Sequence, residues 1–296
     1  MRRIALLSTV ALLAACGGSS SSGTGYLRVG NLSADLGALD FCVAAAGGTF
    51  GSPVMAGAGT MAASGLVRAS SLNEGVLAIS KYFSYPAGTY DVRVFSMTQV
   101  GSSCASPLLT ATNVSLGNGV YKLIAAVGMT GATGAPHALA IFTDEATVPT
   151  GNVAIRFANT GILALPGATP VPLPPIDVGV IPAVTGATYT LIFGNVAYPG
   201  VAAGGIVDTN GYAIVPSAGF AAGAALWVCP AGAVPPALGC QPTTVAANVI
   251  AGGTVASAYV IGLAGLAPNA LLCGDNQGPP VADYPYSMCT TNPNPA

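Results

Sequence analysis

His137 is the one histidine in a chain of 296 residues, so a Ser-His-Asp or Cys-His relay would have to run through it. It stands in GATGAPHALAIF, at the entry to a strand-like run, and the chain holds no Gly-x-Ser-x-Gly turn that would present a nucleophile. A surface or strand-start histidine is the plainer reading, and no catalytic residue is assigned. Metal chemistry needs clustered ligands, and the nearest approaches are Asp144 with Glu145, Asp275 with Asn276, and Asp35 with Asp40. No metal ligand and no cofactor is assigned from them. Asp144 and Asp275 read as structural groups, for instance capping turn amides, with a calcium ion at a domain junction as the alternative. Trp227, the only tryptophan, suits core packing or, alternatively, a sugar-binding platform. The glycine runs lack the lysine and the following helix of a phosphate loop.

These residues sit in a pattern that occurs twice. YLRVGNLSADLGALDFCV is echoed by VAIRFANTGILALPGATPVPLPPIDVGV, so that Arg28 matches Arg156, Asn31 matches Asn159 and Asp40 matches Asp177. YPAGTYDVRVF is echoed by VPSAGFAAGAALWVC, and Cys104 falls opposite Cys240. Each copy closes on an acid, with Asp144 answering Asp275. Within the copies, runs of five to eight residues alternate apolar and small or polar side chains between Gly, Pro, Asn and Ser, the signature of strands that bury one face. In YDVRVF, Tyr90, Val92 and Val94 point one way, and Asp91 and Arg93 the other. Roughly seven to nine strands per copy predict two β-sandwiches in a row. Because both copies keep the arginine together with a strand-borne acid, Arg28–Asp40 and Arg156–Asp177 are expected as structural ion pairs, since a buried carboxylate needs a partner.

Composition limits the partners. Only 6% of residues are charged and 52% are hydrophobic, broken up by 40 Gly and 23 Pro, which disfavours long helices. Mean hydropathy is +0.66, yet the longest apolar segment, VIAGGTVASAYVIGLAGLAP, reads as two strands, and the aromatic girdles of a membrane barrel are not visible. No basic cluster exists to neutralise phosphates, which excludes nucleic acid as a partner.

The first residues set the address. Arg2 and Arg3 precede an apolar run from Ile4 to Ala15, too short for the roughly 20 residues a membrane-spanning helix needs and laid out as a secretory signal. Leu13-Ala14-Ala15-Cys16 resembles the lipobox of bacterial lipoproteins. That resemblance implies diacylglyceryl modification of Cys16, cleavage just before it, and further acylation of the freed amine. Several acyl chains on one residue hold stably where a single chain is marginal. Without Arg2 and Arg3, six basic residues face 10 acidic ones, a net charge of about −4. Of 7 cysteines, removal of Cys16 leaves an even number in an oxidising compartment, consistent with disulfides. Fifteen pairings are open to six cysteines, and buried thiols are the alternative. The preferred set is Cys42 with Cys104, Cys229 with Cys240, and Cys273 with Cys289.

Arg-x-x-Asn followed by an Asp-centred strand, FGNVAYPG (Phe193 to Gly200), PAGTYDVRV and the closing acid together resemble the tandem modules of domain of unknown function 4397. The likeness covers nearly all of residues 26–276. Copy one departs from it with a Gly/Ala-rich stretch from Gly47 to Ser64. The resemblance implies an immunoglobulin-like sandwich in an extracytoplasmic setting and brings no activity with it.

The sequence thus predicts an all-β chain of two tandem immunoglobulin-like β-sandwich domains after a cleaved lipoprotein signal peptide. The expected divisions are a signal peptide (1–15), a lipidated Cys16 and flexible tether (16–25), two sandwich repeats (26–148 and 152–276) and a Pro-rich tail (277–296). The expected function is a non-enzymatic structural or interaction module. It would be held to the membrane through its lipid anchor, with an envelope protein or polysaccharide as partner. The lipoprotein resemblance, with Gly17 rather than Asp after the lipidated residue, implies the outer membrane by comparison with known sorting rules, on either face. A carbohydrate-binding module or adhesin is the alternative, with a metal-dependent hydrolase behind it.

Overall fold

The computed structural model describes residues 23–55, 66, 78–97, 104–165, 167–183, 185–203, 206–220, 224–244, 252–263, 266–275 and 289–291. The expected signal segment, Cys16 and Asn276 lie outside them, as do most of the expected tether and tail. The described chain is all-β and forms two sandwiches.

In the first module the strands are β1 (Thr24–Asn31), β2 (Leu39–Ala45), β3 (Phe83–Pro86), β4 (Gly88–Ser96), β5 (Leu109–Leu116), β6 (Tyr121–Val127) and β7 (Ala138–Thr143). One sheet runs in the order β3-β1-β6-β7 and the other β2-β4-β5. The first strand lies parallel to the sixth, a pairing that alternation alone does not reveal. Period-two alternation sends Leu27, Val29, Leu39, Phe41, Val92, Val94 and Ile124 into the space between the sheets. Tyr90 joins them, while Asp91 and Arg93 face outward, as the pattern of YDVRVF predicts.

The second module holds β8 (Asn152–Asn159), β9 (Ile162–Leu163), β10 (Val171–Pro172), β11 (Ile176–Ile181), β12 (Thr190–Val196), β13 (Gly200–Val201), β14 (Tyr212–Pro216), β15 (Ala225–Pro230), β16 (Gln241–Thr244), β17 (Val255–Leu263), β18 (Leu266–Gly274) and β19 (Cys289–Thr291). Every ladder of module one recurs. β8 pairs antiparallel with β14 and parallel with β17, β17 pairs with β18, and β11-β15-β16 repeats β2-β4-β5. Within the expected Pro-rich tail, Cys289–Thr291 adds an edge strand to β18.

Bridges also locate the counterpart of FGNVAYPG. Leu66 pairs with Leu39 and Ile79 with Gly30, as Val196 pairs with Ile176 and Val201 with Ala158. Copy one is therefore lengthened beyond Ser64 as well, between Leu66 and Ile79.

The two modules meet through the β1/β6/β7 sheet of one and the β8/β17/β18 sheet of the other. Leu123, Ala125, Val127 and Phe142 pack with Ala158, Tyr259, Ile261 and Leu271 in one shared core. Strands covered on both faces read as continuous apolar runs, which explains LIAAV in β6 and the unusual hydropathy of VASAYVIGL in β17. The described cysteines pair as Cys42–Cys104, Cys229–Cys240 and Cys273–Cys289, each within one module.

Candidate functional site

On β1, Leu27 and Val29 face the core of their own sandwich, so alternation turns Arg28 to the opposite face, toward the second module. The same holds for Arg156 between Ile155 and Phe157 on β8. Both guanidiniums are fully enclosed, and between them lie Asp144 and Asp275, which follow β7 and β18.

The cluster is reciprocal. Arg28 Nη2 donates to Asp275 Oδ1 of the other module, and Arg156 Nη2 donates to Asp144 Oδ1 at 2.5 Å. Arg28 Nη1 donates to the carbonyl of Gly274 at 3.0 Å, and Arg156 Nη1 to that of Thr143 at 2.7 Å. Each guanidinium also stacks on a tyrosine of its own module, Arg28 at 4.8 Å from the Tyr82 ring and Arg156 at 4.7 Å from that of Tyr212. These tyrosines donate their hydroxyls to their own module's acid, Tyr82 to Asp144 at 2.8 Å and Tyr212 to Asp275 at 2.7 Å.

Two residues break the symmetry. Tyr259, which stands where module one has Ala125, places its hydroxyl 3.1 Å from Arg156 Nη2 and 3.4 Å from Arg28 Nη2. Ser257, standing where module one has Leu123, donates to Asp275 Oδ2 at 2.5 Å. Arg28 Nε reaches its own module's Asp144 at 2.8 Å. The corresponding oxygen of Asp275 instead accepts from Tyr212 and Ser257, and Arg156 Nε has no acceptor among the described residues.

Burial opposes the charge of both arginines. For Arg28, Asp144, Tyr82 and Asp275 outweigh it, and for Arg156, Tyr212, Tyr259 and the two carboxylates do, so both stay firmly protonated. Burial pushes Asp275 above the ordinary carboxylate range; Arg28 pulls against this, and the nearby Asp144 adds to it. Burial likewise raises Tyr82, Tyr212 and Tyr259. With no solvent access, such a cluster orients and locks surfaces. Buried ionic groups are best attested in fixing register and partner choice.

The expected pairs Arg28–Asp40 and Arg156–Asp177 do not form. Asp40 and Asp177 lie on the β2 and β11 sheets, between core-facing neighbours, and so turn outward on the far side of each sandwich from the arginines. Asp40 accepts the amides of Phe41 and Met55, and Asp177 those of Asn195 and Gly232. Capping of amides thus falls to these two acids, while Asp144 and Asp275 serve as the counter-ions. Glu145 accepts the amide of Tyr121. The recurrent Asn31 and Asn159 each donate their side-chain amide to backbone carbonyls, including the equivalent Leu66 and Val196.

His137 lies just before β7, with Nε2 2.7 Å from Asp35 Oδ1, while Asp35 Oδ2 accepts the Thr130 amide at 3.0 Å. The loop so braced carries Met129, Ala132 and Ala135 against Ile162 and Tyr198 of module two, and Thr133 donates its amide to the Pro170 carbonyl. Partial burial pushes Asp35 up, but bonds from Thr130 and His137 prevail and hold it below the usual carboxylate range.

Trp227 is half-buried on the outward face of β15, across from Gly179. A side chain at Gly179 would collide with the Tyr189 ring, which therefore packs on the bare backbone beside Trp227. The indole Nε1 and the Tyr189 hydroxyl are both enclosed without a partner among the described residues. At the equivalent place in module one, Arg93 stacks on Phe50 at 4.2 Å.

Tyr82 and Tyr212 are not evident as site residues in the sequence. The repeat carries their signal, because aligning Pro86 with Pro216 sets the two tyrosines opposite one another.

A family model described as Domain of unknown function (DUF4397) matches residues 58–165. This stretch crosses the junction and includes Tyr82, Asp144 and Arg156. No curated protein matches the chain.

Proposed function

We propose that this chain, similar to DUF4397 over residues 58–165, is a lipoprotein of the cell envelope. In this reading it is anchored through Cys16, and its paired sandwiches act as a non-enzymatic structural or interaction module. The Leu13–Cys16 box carries the reading. The site supports it in a second way: the four buried ionic side chains at the junction are engaged with one another and with backbone carbonyls, an arrangement suited to holding two bodies in fixed register. The outer membrane is the expected address. Palmitate labelling of wild type and Cys16→Ser, followed by protease shaving of intact cells, tests it. Label that depends on Cys16 is the expected result; an unlabelled wild type removes the anchor.

The half-buried Trp227 beside Tyr189 favours carbohydrate binding as the second reading. Since both polar atoms are enclosed, a sugar would meet ring faces rather than donors. Glycan-array binding lost in Trp227→Ala would support it, and an array without binding would end it.

A further inference from the structure

We infer that the face each module offers its neighbour is a self-recognition surface, and that a second copy of this chain is a partner it fits, through reciprocal exchange of modules. The strongest cross-module bonds are made by equivalent groups: Arg28 to Asp275 and the Gly274 carbonyl, Arg156 to Asp144 and the Thr143 carbonyl. Module two of another chain presents the same Asp275, Gly274 and Arg156 to Arg28 and Asp144 as the chain's own module two does. Exchange therefore keeps these four bonds and alters the path of the connector, with the bonds of Glu145 to Tyr121 and Asn210 the ones it puts at stake.

Two further observations make exchange feasible. All three disulfides close within a module, at separations of 62, 11 and 16 residues, so no covalent bond beyond the backbone ties the modules together. The link between them is the short segment Glu145–Gly151, whose Ala146 and Val148 pack on the second module's cluster of Ala154, Tyr212 and Val255. These contacts leave with module two when the modules part.

A parted chain does not persist. Separation strips both guanidiniums of the opposite module's carboxylate and uncovers Leu123, Ala125 and Phe142 on one side and Tyr259, Ile261 and Leu271 on the other. A contiguous apolar face of this kind seeks cover. In dilute solution the chain's own second module supplies it; at high concentration another chain competes, as in domain swapping. Once closed, the enclosed charges make reopening slow, so the choice is made during folding.

The test uses the full mature chain as Cys16→Ser, disulfides intact, with a protease recognition sequence inserted between Thr150 and Gly151. The protein is unfolded in guanidinium and refolded at about 1 µM and about 100 µM, and mass is read by light scattering. Exchange predicts a dimer fraction at least several-fold larger at the higher concentration. Cutting the connector must then return that dimer to single-chain mass, because each compact unit consists of one module from either chain. A chain that refolds only to monomer at both concentrations overturns the inference. A dimer that keeps its mass after cutting does so too, since it would be held by some other surface.

Discussion

Asp144 is the hub of the junction, and replacing it with asparagine isolates its charge at nearly constant volume. Its carboxylate receives Arg28 Nε at 2.8 Å, Arg156 Nη2 at 2.5 Å and the Tyr82 hydroxyl at 2.8 Å. All three ionic side chains have 0% exposure, so water cannot replace what is lost. The amide that Asp144→Asn introduces keeps one acceptor oxygen but turns an NH2 toward a guanidinium, which only donates, and leaves two enclosed guanidiniums with Asp275 as their one remaining carboxylate. Breaking a buried pair in this way costs about 3–5 kcal/mol, a large share of the roughly 5–15 kcal/mol that holds a folded domain. For a protein of this size the expected fall in Tm is about 5–8 °C. Differential scanning calorimetry and urea unfolding of the disulfide-intact Cys16→Ser chain, with and without Asp144→Asn, measure it. Replacing Arg28, Asp144, Arg156 and Asp275 together by Met and Leu should recover much of the loss, since apolar substitutes escape the desolvation cost. A change below about 0.5 kcal/mol on Asp144→Asn, the size of an ordinary surface substitution, would refute the reasoning.

Asp275→Asn should behave differently, because burial raises the Asp275 pKa in the folded state. A raised carboxylate contributes stability that is full below its unfolded pKa and is lost as pH rises through the folded value. The advantage of wild type over Asp275→Asn should therefore grow as pH falls toward the ordinary carboxylate range; urea midpoints followed through that fall would expose the opposite trend. Gly179→Ala would set a Cβ 2.4 Å from the Thr190 carbonyl oxygen and 2.5 Å from the Tyr189 ring. Backbone cannot yield cheaply, so a loss of about 1–3 kcal/mol is expected, and an unchanged urea midpoint would contradict the packing described.

Much of the fold is legible because period-two alternation and the internal repeat are both local signals. Tyr90, Val92 and Val94 can be set on one face from YDVRVF alone, and the four matched blocks place two sandwiches in order. The partners of Arg28 and Arg156 differ from expectation because alternation tells which residues share a face without telling which faces meet. The correction is nonetheless within reach of the sequence. Leu27 and Val29 flank Arg28, and Leu39 and Phe41 flank Asp40, so neither charge points into its own core. The two sheets of a sandwich turn their outer faces apart, which bars the pair from meeting. The contact of Arg28 with Asp275 depends on how two modules dock, and no short stretch of sequence encodes that. Tyr259 and Ser257, whose places in copy one are taken by Ala125 and Leu123, are invisible to a reading built on repetition.

The central claim is that each module's arginine is held by the other module's acid, and a double-mutant cycle across the junction tests it most directly. Unfolding free energies of wild type, Arg156→Met, Asp144→Asn and the double variant give the coupling between two side chains that belong to different modules yet lie 2.5 Å apart. The account predicts a coupling of at least about 1.5 kcal/mol, within the range for residues in one enclosed network. Effects that add to within about 0.5 kcal/mol, the behaviour of distant sites, would contradict it.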